Sequence, residues 1–117
     1  MPATLVPLTV HQGNNETISL TVTPDTPGDN LTAVTMLKIV WKDSRCVSDT
    51  DSTTKTLSSA VPAEITITTQ TATLIVATAH IPASYTTSPH PYWWRLDVYV
   101  GAAHRTAIYG PVTVIDI

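Results

Sequence analysis

A chain of 117 residues with a net charge of -3 is long enough for one domain with its own core and too short for two. Its six Lys and Arg are scattered, which argues against a nucleic-acid-binding stripe or a basic membrane face, and no apolar run approaches the roughly 20 residues that span a bilayer. Roughly one residue in five is Thr, Val and Ile are plentiful, Phe is absent, and most Gly and Pro fall between the apolar runs, a usage that favours strands.

In chain order, "MPATLVPLTV" lacks the basic start and long apolar stretch of a secretory signal. The mature protein is therefore expected to begin at its own N-terminus, in or released from a cytoplasm. "TLVPLTV" (4 to 10) reads as a strand that Pro7 confines to a sheet edge. After the turn "QGNN", "TISLTVT" (17 to 23) alternates, with Ile18, Leu20 and Val22 facing in. "PDTPGDN" carries loop chemistry. "AVTMLKIVWKD" (33 to 43) places Leu37, Ile39 and Trp41 on one face and Met36, Lys38, Val40 and Lys42 on the other, which the lysines assign to solvent. Residues 44 to 63 are polar and loop-like, with a short strand near Lys55 to Ser58. "EITITT" (64 to 69) and "ATLIVATA" (72 to 79) are strands joined tightly around Gln70 and Thr71, and "IPASYTT" (81 to 87) is the one helical turn, with Pro82 at a tolerated first position. "PYWWRLDVYV" (91 to 100), a short connection at "GAAH" and the closing strand "RTAIYGPVTVIDI" complete the chain.

Short alternating strands with almost no helix predict two packed antiparallel sheets in one domain over residues 1 to 117. Trp41 stands on the third strand, where an immunoglobulin-type sandwich buries a tryptophan. The single Cys46 excludes an intrachain disulfide, so packing alone must hold the sheets. It reads as a loop thiol without partners for metal or redox work.

The aromatic strand raises a question of its own. Successive side chains point to opposite faces, so Trp94, Leu96, Val98 and Val100 form a core set while Trp93, Arg95, Asp97 and Tyr99 share the other face. Two readings compete for that second set. In one, Trp93, Arg95 and Tyr99 form the centre of a docking surface, since aromatic and Arg residues dominate interface energetics. In the other, a loop such as "SRCVSDTDSTTKTLSS" folds over these rings within the same molecule.

Chemistry-bearing residues are sparse. His11, His80, His90 and His104 lie in separate segments without metal-ligand spacing, no turn exposes a nucleophilic Ser, and Asp25, Asp29, Asp43, Asp49 and Asp51 cluster around loops without the regular spacing of a Ca²⁺ site. Asn15-Glu16-Thr17 and Asn30-Leu31-Thr32 match the glycosylation pattern as chance products of Thr richness. No catalytic residue, cofactor or metal is expected.

"VHQGNNETISLTVT", "DNLTAVTMLKIVWKD", "ITITTQTATLIVATAHIPASY" and "YWWRLDVYVGAAHRTAIYGPVTV", taken in this order, resemble the immunoglobulin-like β-sandwich domains of tailed-bacteriophage structural proteins, including the N-terminal domain of baseplate upper proteins. The resemblance covers nearly the whole chain, although Asn14 and Ala33 depart from its pattern and "GAAH" replaces its Asp-Gly hairpin. It implies an immunoglobulin-like antiparallel β-sandwich of seven to eight strands. It also implies a non-enzymatic accessory or decoration-type subunit on capsid or tail, assembled in the host cytoplasm. Such a subunit contacts other virion proteins and forms a homo-oligomer within the assembly. The stop at Ile117 favours a free-standing subunit over a baseplate linker. A carbohydrate-binding or adhesion module, with Trp93 and Tyr99 stacking on sugar rings, is the alternative.

Overall fold

The computed structural model describes residues 4–24, 30–87 and 91–115. Alternation and turn chemistry resolve into nine strands: β1 (Thr4–Leu5), β2 (Leu8–His11), β3 (Glu16–Val22), β4 (Met36–Lys42), β5 (Lys55–Ser58), β6 (Ile65–Gln70), β7 (Ile75–Ile81), β8 (Tyr92–Val100) and β9 (Ala103–Ile115), with short 3-10 turns at Leu31–Ala33 and Ala83–Thr86. The larger sheet runs β1-β9-β8-β4-β5, with β2 also on β9, and the smaller one runs β3-β7-β6. Strands three to nine thus stand where B, C, C′, D, E, F and G stand in an immunoglobulin-type sandwich, and the domain has that all-β fold.

The first strand departs from the antiparallel expectation. Pro7 lacks an N–H, and around it the strand splits into β1 and β2, each lying parallel to β9 at the sheet edge. Parallel neighbours need a long crossover, and here nearly the whole chain separates the pair. The two halves make the strand total nine rather than seven or eight. The break is held from below: the Trp94 indole N–H donates to the Val6 carbonyl at 3.0 Å. Gly110, opposite Trp94 in register, leaves room for it, since a Cβ there would stand 2.4 Å from that same carbonyl oxygen.

Between the sheets, Leu20 and Val22 of β3, Leu37, Ile39 and Trp41 of β4, Ile65 of β6, Ile75, Ala77 and Ala79 of β7 and Trp94 and Leu96 of β8 form one apolar core. Each buried Leu or Ile contributes on the order of 1.5–3 kcal/mol. Trp41 and Trp94 are partners across β4 and β8, and Trp41 also meets Tyr92 and Tyr85 at ring-centroid distances of 5.7 and 6.0 Å. Trp41 is thus buried on the strand where an immunoglobulin-type sandwich buries its tryptophan, here among aromatic rings. The Trp41 indole N–H is buried without a hydrogen-bond partner among the described residues, which costs about 1–3 kcal/mol.

The "GAAH" connection turns out to be a two-residue hairpin, with Val100 paired to Ala103. Gly101 takes φ +60° while no non-glycine residue has positive φ among those described, which is the requirement of a type II′ turn with Gly first. Three facing expectations fail. Val100 is 51% exposed because it adjoins this turn, at the end of the strand. Val40 and Lys42 are buried on the face assigned to solvent, and Asp97 on the neighbouring strand, whose exposure the sequence left open, is buried at 1% exposure; the next section describes their surroundings. Pro82 caps the second 3-10 turn rather than opening it.

Candidate functional surface

The outer face of the larger sheet is built from alternate residues of three adjacent strands. β8 contributes Trp93, Arg95, Asp97 and Tyr99. β4 brings Lys42 opposite Trp93 and Val40 opposite Arg95, and β9 brings Tyr109 opposite Arg95 and Thr106 opposite Asp97. A register shift between Leu96 and Asp97 on the β8–β9 pair inserts an extra residue on β9, so that Thr106 donates its hydroxyl to Asp97 Oδ1 at 2.8 Å.

Arg95 organises this face. Its Nε donates to both Asp97 oxygens at 3.1 and 3.0 Å, while its two terminal nitrogens grip Asp49 from the loop after β4, Nη1 at 2.8 Å from Oδ1. Asp49 also pairs with Lys42. The rigid fork of a guanidinium suits such bidentate pairing. Hydrogen bonds from Arg95 and then Lys42 hold the Asp49 carboxyl well below the usual carboxylate range, and the bond to Asp49 pushes Arg95 further up. A buried carboxylate needs such partners; Asp97 has Arg95 and Thr106.

The same loop places the Arg45 guanidinium over the Trp93 ring, 5.2 Å from its centroid, within cation–π range. Trp93 meets Tyr109 on β9 at 5.8 Å between centroids. The loop therefore folds over one end of the face, where Asp49 pairs with Lys42, while Val40 lies opposite Arg95 on one side and Thr56 on the other. Arg95 remains partly open to solvent, with 20% of its side chain exposed.

Of the three residues singled out by their sequence spacing, the structure brings Trp93 and Arg95 into this cluster. Tyr99 lies six positions along the strand from Trp93, about 20 Å away, and stacks on His104 at 4.8 Å with the rings 20° apart. Sequence reasoning named the loop that carries Arg45 and Asp49 as a cover for the rings, without singling out those two residues, and it missed Lys42 and Tyr109. Tyr109 had a signal, an aromatic residue in the closing strand; the loop residues follow no period. Cys46 is a free exposed thiol, as expected of its loop. Of the titratable residues considered from sequence, His90, Asp25 and Asp29 lie outside the described residues, and among the described ones no group of three or more His, Cys, Asp and Glu is placed to hold a metal ion. No helix among the described residues is long and apolar enough to cross a membrane.

No protein-family model matches the chain, and no curated protein does. Among solved structures it is similar to a family 123 glycoside hydrolase from Clostridium perfringens, with 12% identity and a TM-score of 0.45, over 97% of this chain and 23% of that one. It is also similar to the NK cell receptor NKp44, with 15% identity and a TM-score of 0.40 over the whole of both chains. The chain thus spans less than a quarter of the hydrolase's length.

Proposed function

We propose that this domain is a non-enzymatic accessory subunit of a tailed-phage virion, on capsid or tail, working by protein–protein contact through the outer face of its larger sheet. The observation that carries the reading is the Trp93–Arg95–Tyr109 cluster. Aromatic and Arg side chains supply most of the energy of protein interfaces, and here they are partly exposed and held in place before any partner arrives, by Arg45, Asp49 and Asp97. Groups already ordered lose less entropy on docking. The order of sequence elements that resembles phage structural domains supports the virion setting. Arg45 occupies one face of Trp93 and His104 one face of Tyr99, which leaves less ring surface for a sugar to stack on.

The test is mass spectrometry of purified particles of the phage that encodes the chain, with polysaccharide pull-down as a second arm. The proposal expects the chain in the particle at a fixed ratio to the major capsid or tail protein, and no retention on polysaccharide. Absence from washed particles would overturn it, and retention on glycans would move the reading to an adhesion module.

A further inference from the structure

The sandwich has four strand edges, and three of them carry devices that discourage pairing with another chain. At one side of the larger sheet the edge is interrupted at Val6-Pro7 between β1 and β2, and Pro blunts an edge. At its other side β5 is only four residues long and begins with Lys55. On the smaller sheet, the β6–β7 ladder is broken by a register shift between Ile67 and Thr69. β3 has none of these. Its seven residues pair with β7 in unbroken register from Glu16 to Val22, with no Lys, no Pro and no bulge. Among the described residues no strand lies along its other side. An uncapped edge of this kind is a template for strand addition.

The sequence of that edge identifies the occupant. Thr17-Ile18-Ser19-Leu20-Thr21-Val22-Thr23 reads nearly the same in both directions about Leu20. We infer that β3 pairs antiparallel with β3 of a second copy of this chain, across a two-fold axis between the two Leu20 residues. In that register Ile18 meets Val22, Ser19 meets Thr21 and Thr17 meets Thr23, so every residue faces one of its own kind. Side chains opposite each other in an antiparallel pair share a face. Leu20 and Val22, which point into the core, therefore continue the apolar inner layer, and the exposed Thr17, Ser19, Thr21 and Thr23 form a continuous outer row of hydroxyls. Glu16 falls opposite Pro24 rather than its own copy, so no like charges meet. The dyad on a residue lets the ladder form whichever alternate set of N–H and C=O groups points outward. Because the contact is isologous it closes on itself as a dimer of two domains, their three-stranded sheets joined into one of six. This surface is on the sheet opposite the Trp93 cluster, so it leaves that face free.

The experiment is charge complementation read by sedimentation equilibrium of the full chain. Ser19→Lys with Thr21→Lys puts like charges opposite each other in the proposed register, and so does Ser19→Glu with Thr21→Glu, while both positions are exposed and leave the core intact. Wild type is expected to dimerise by millimolar concentration, each variant alone to remain monomeric where wild type is paired, and an equimolar mixture of the two variants to recover the dimer. Amide hydrogen exchange in wild type supplies a readout that needs no variant: protection along β3 rises with concentration while that along β6 does not. A monomeric wild type, a dimer that survives in either variant, a mixture that fails to re-pair, or β3 protection independent of concentration would each overturn the inference.

Discussion

Trp94 lies between the two sheets at 1% exposure, its indole N–H bonded to Val6, whereas Trp93, one residue earlier, stands on the outer face beneath Arg45 and beside Tyr109. Strand geometry separates them, and what each touches decides what each is for. The inner ring is fixed by residues of the permanent core and closes the N-terminal strand onto the sandwich. The outer ring is fixed by a loop and a network of charges, and keeps a surface that a partner can reach. Adjacent residues of the same type thus belong to different energy scales, one set by apolar burial and one by half-solvated electrostatics.

Truncation should separate those scales in thermal or denaturant melts. Trp94→Ala, like Trp41→Ala, should destabilise the domain by about 3–5 kcal/mol, the range for removing a buried aromatic; a loss for Trp94 no larger than that for Trp93 would erase the comparison. Arg95→Ala should cost about 2–3 kcal/mol, because it strands the buried Asp97 carboxylate with Thr106 as its remaining partner. Arg95→Ala combined with Asp97→Ala should recover part of that loss, and a double variant no better than the single one would show that the pair is not coupled. Gly110→Ala should cost about 1–3 kcal/mol by forcing the Val6 carbonyl aside, and amide exchange should report the effect first in β1 and β2. Trp93→Ala should cost about 1 kcal/mol in the isolated domain, since the ring is half-buried and its cation–π contact is worth roughly 0.5–1 kcal/mol at an exposed site.

The smallest effect belongs to Asp49, whose side chain is half-exposed, so its pairs are worth at most about 1 kcal/mol. Its folded-state pKa is depressed by Arg95 and Lys42. Its contribution is therefore fully present above the unfolded carboxylate value of about 4 and is lost as pH falls below that value toward the folded one. Asp49→Asn should lower stability slightly at pH 7 and flatten the acid limb of the melting curve; an unchanged acid limb would place that pH dependence on other carboxylates.

Much of this architecture was legible in period-two alternation. Leu37, Ile39 and Trp41 face the core as their spacing requires, Trp94 and Leu96 do the same, and Lys55–Ser58 forms its short strand. The parallel attachment of the first strand to β9 left no such trace, because alternation reports which face is buried and not which neighbour a strand takes. The site was half legible. Trp93 and Arg95 were found because alternation put two unusual residues on a face facing outward. Asp49 meets Arg95 across 46 positions of sequence, from a polar loop without period, so neither the charge network nor the burial of Val40, Lys42 and Asp97 could be read from spacing. The reading in which that loop covers the rings within one molecule describes the Trp93 end of the face, while Tyr99 stacks on His104.

Hydroxyl-radical footprinting of the two neighbouring tryptophans, in the free chain and in assembled particles, tests the outer face most directly. The account predicts that Trp93 is oxidised readily in the free chain and protected in the particle, while Trp94 stays unmodified in both. Equal oxidation of Trp93 in the two states would contradict a docking role for this face.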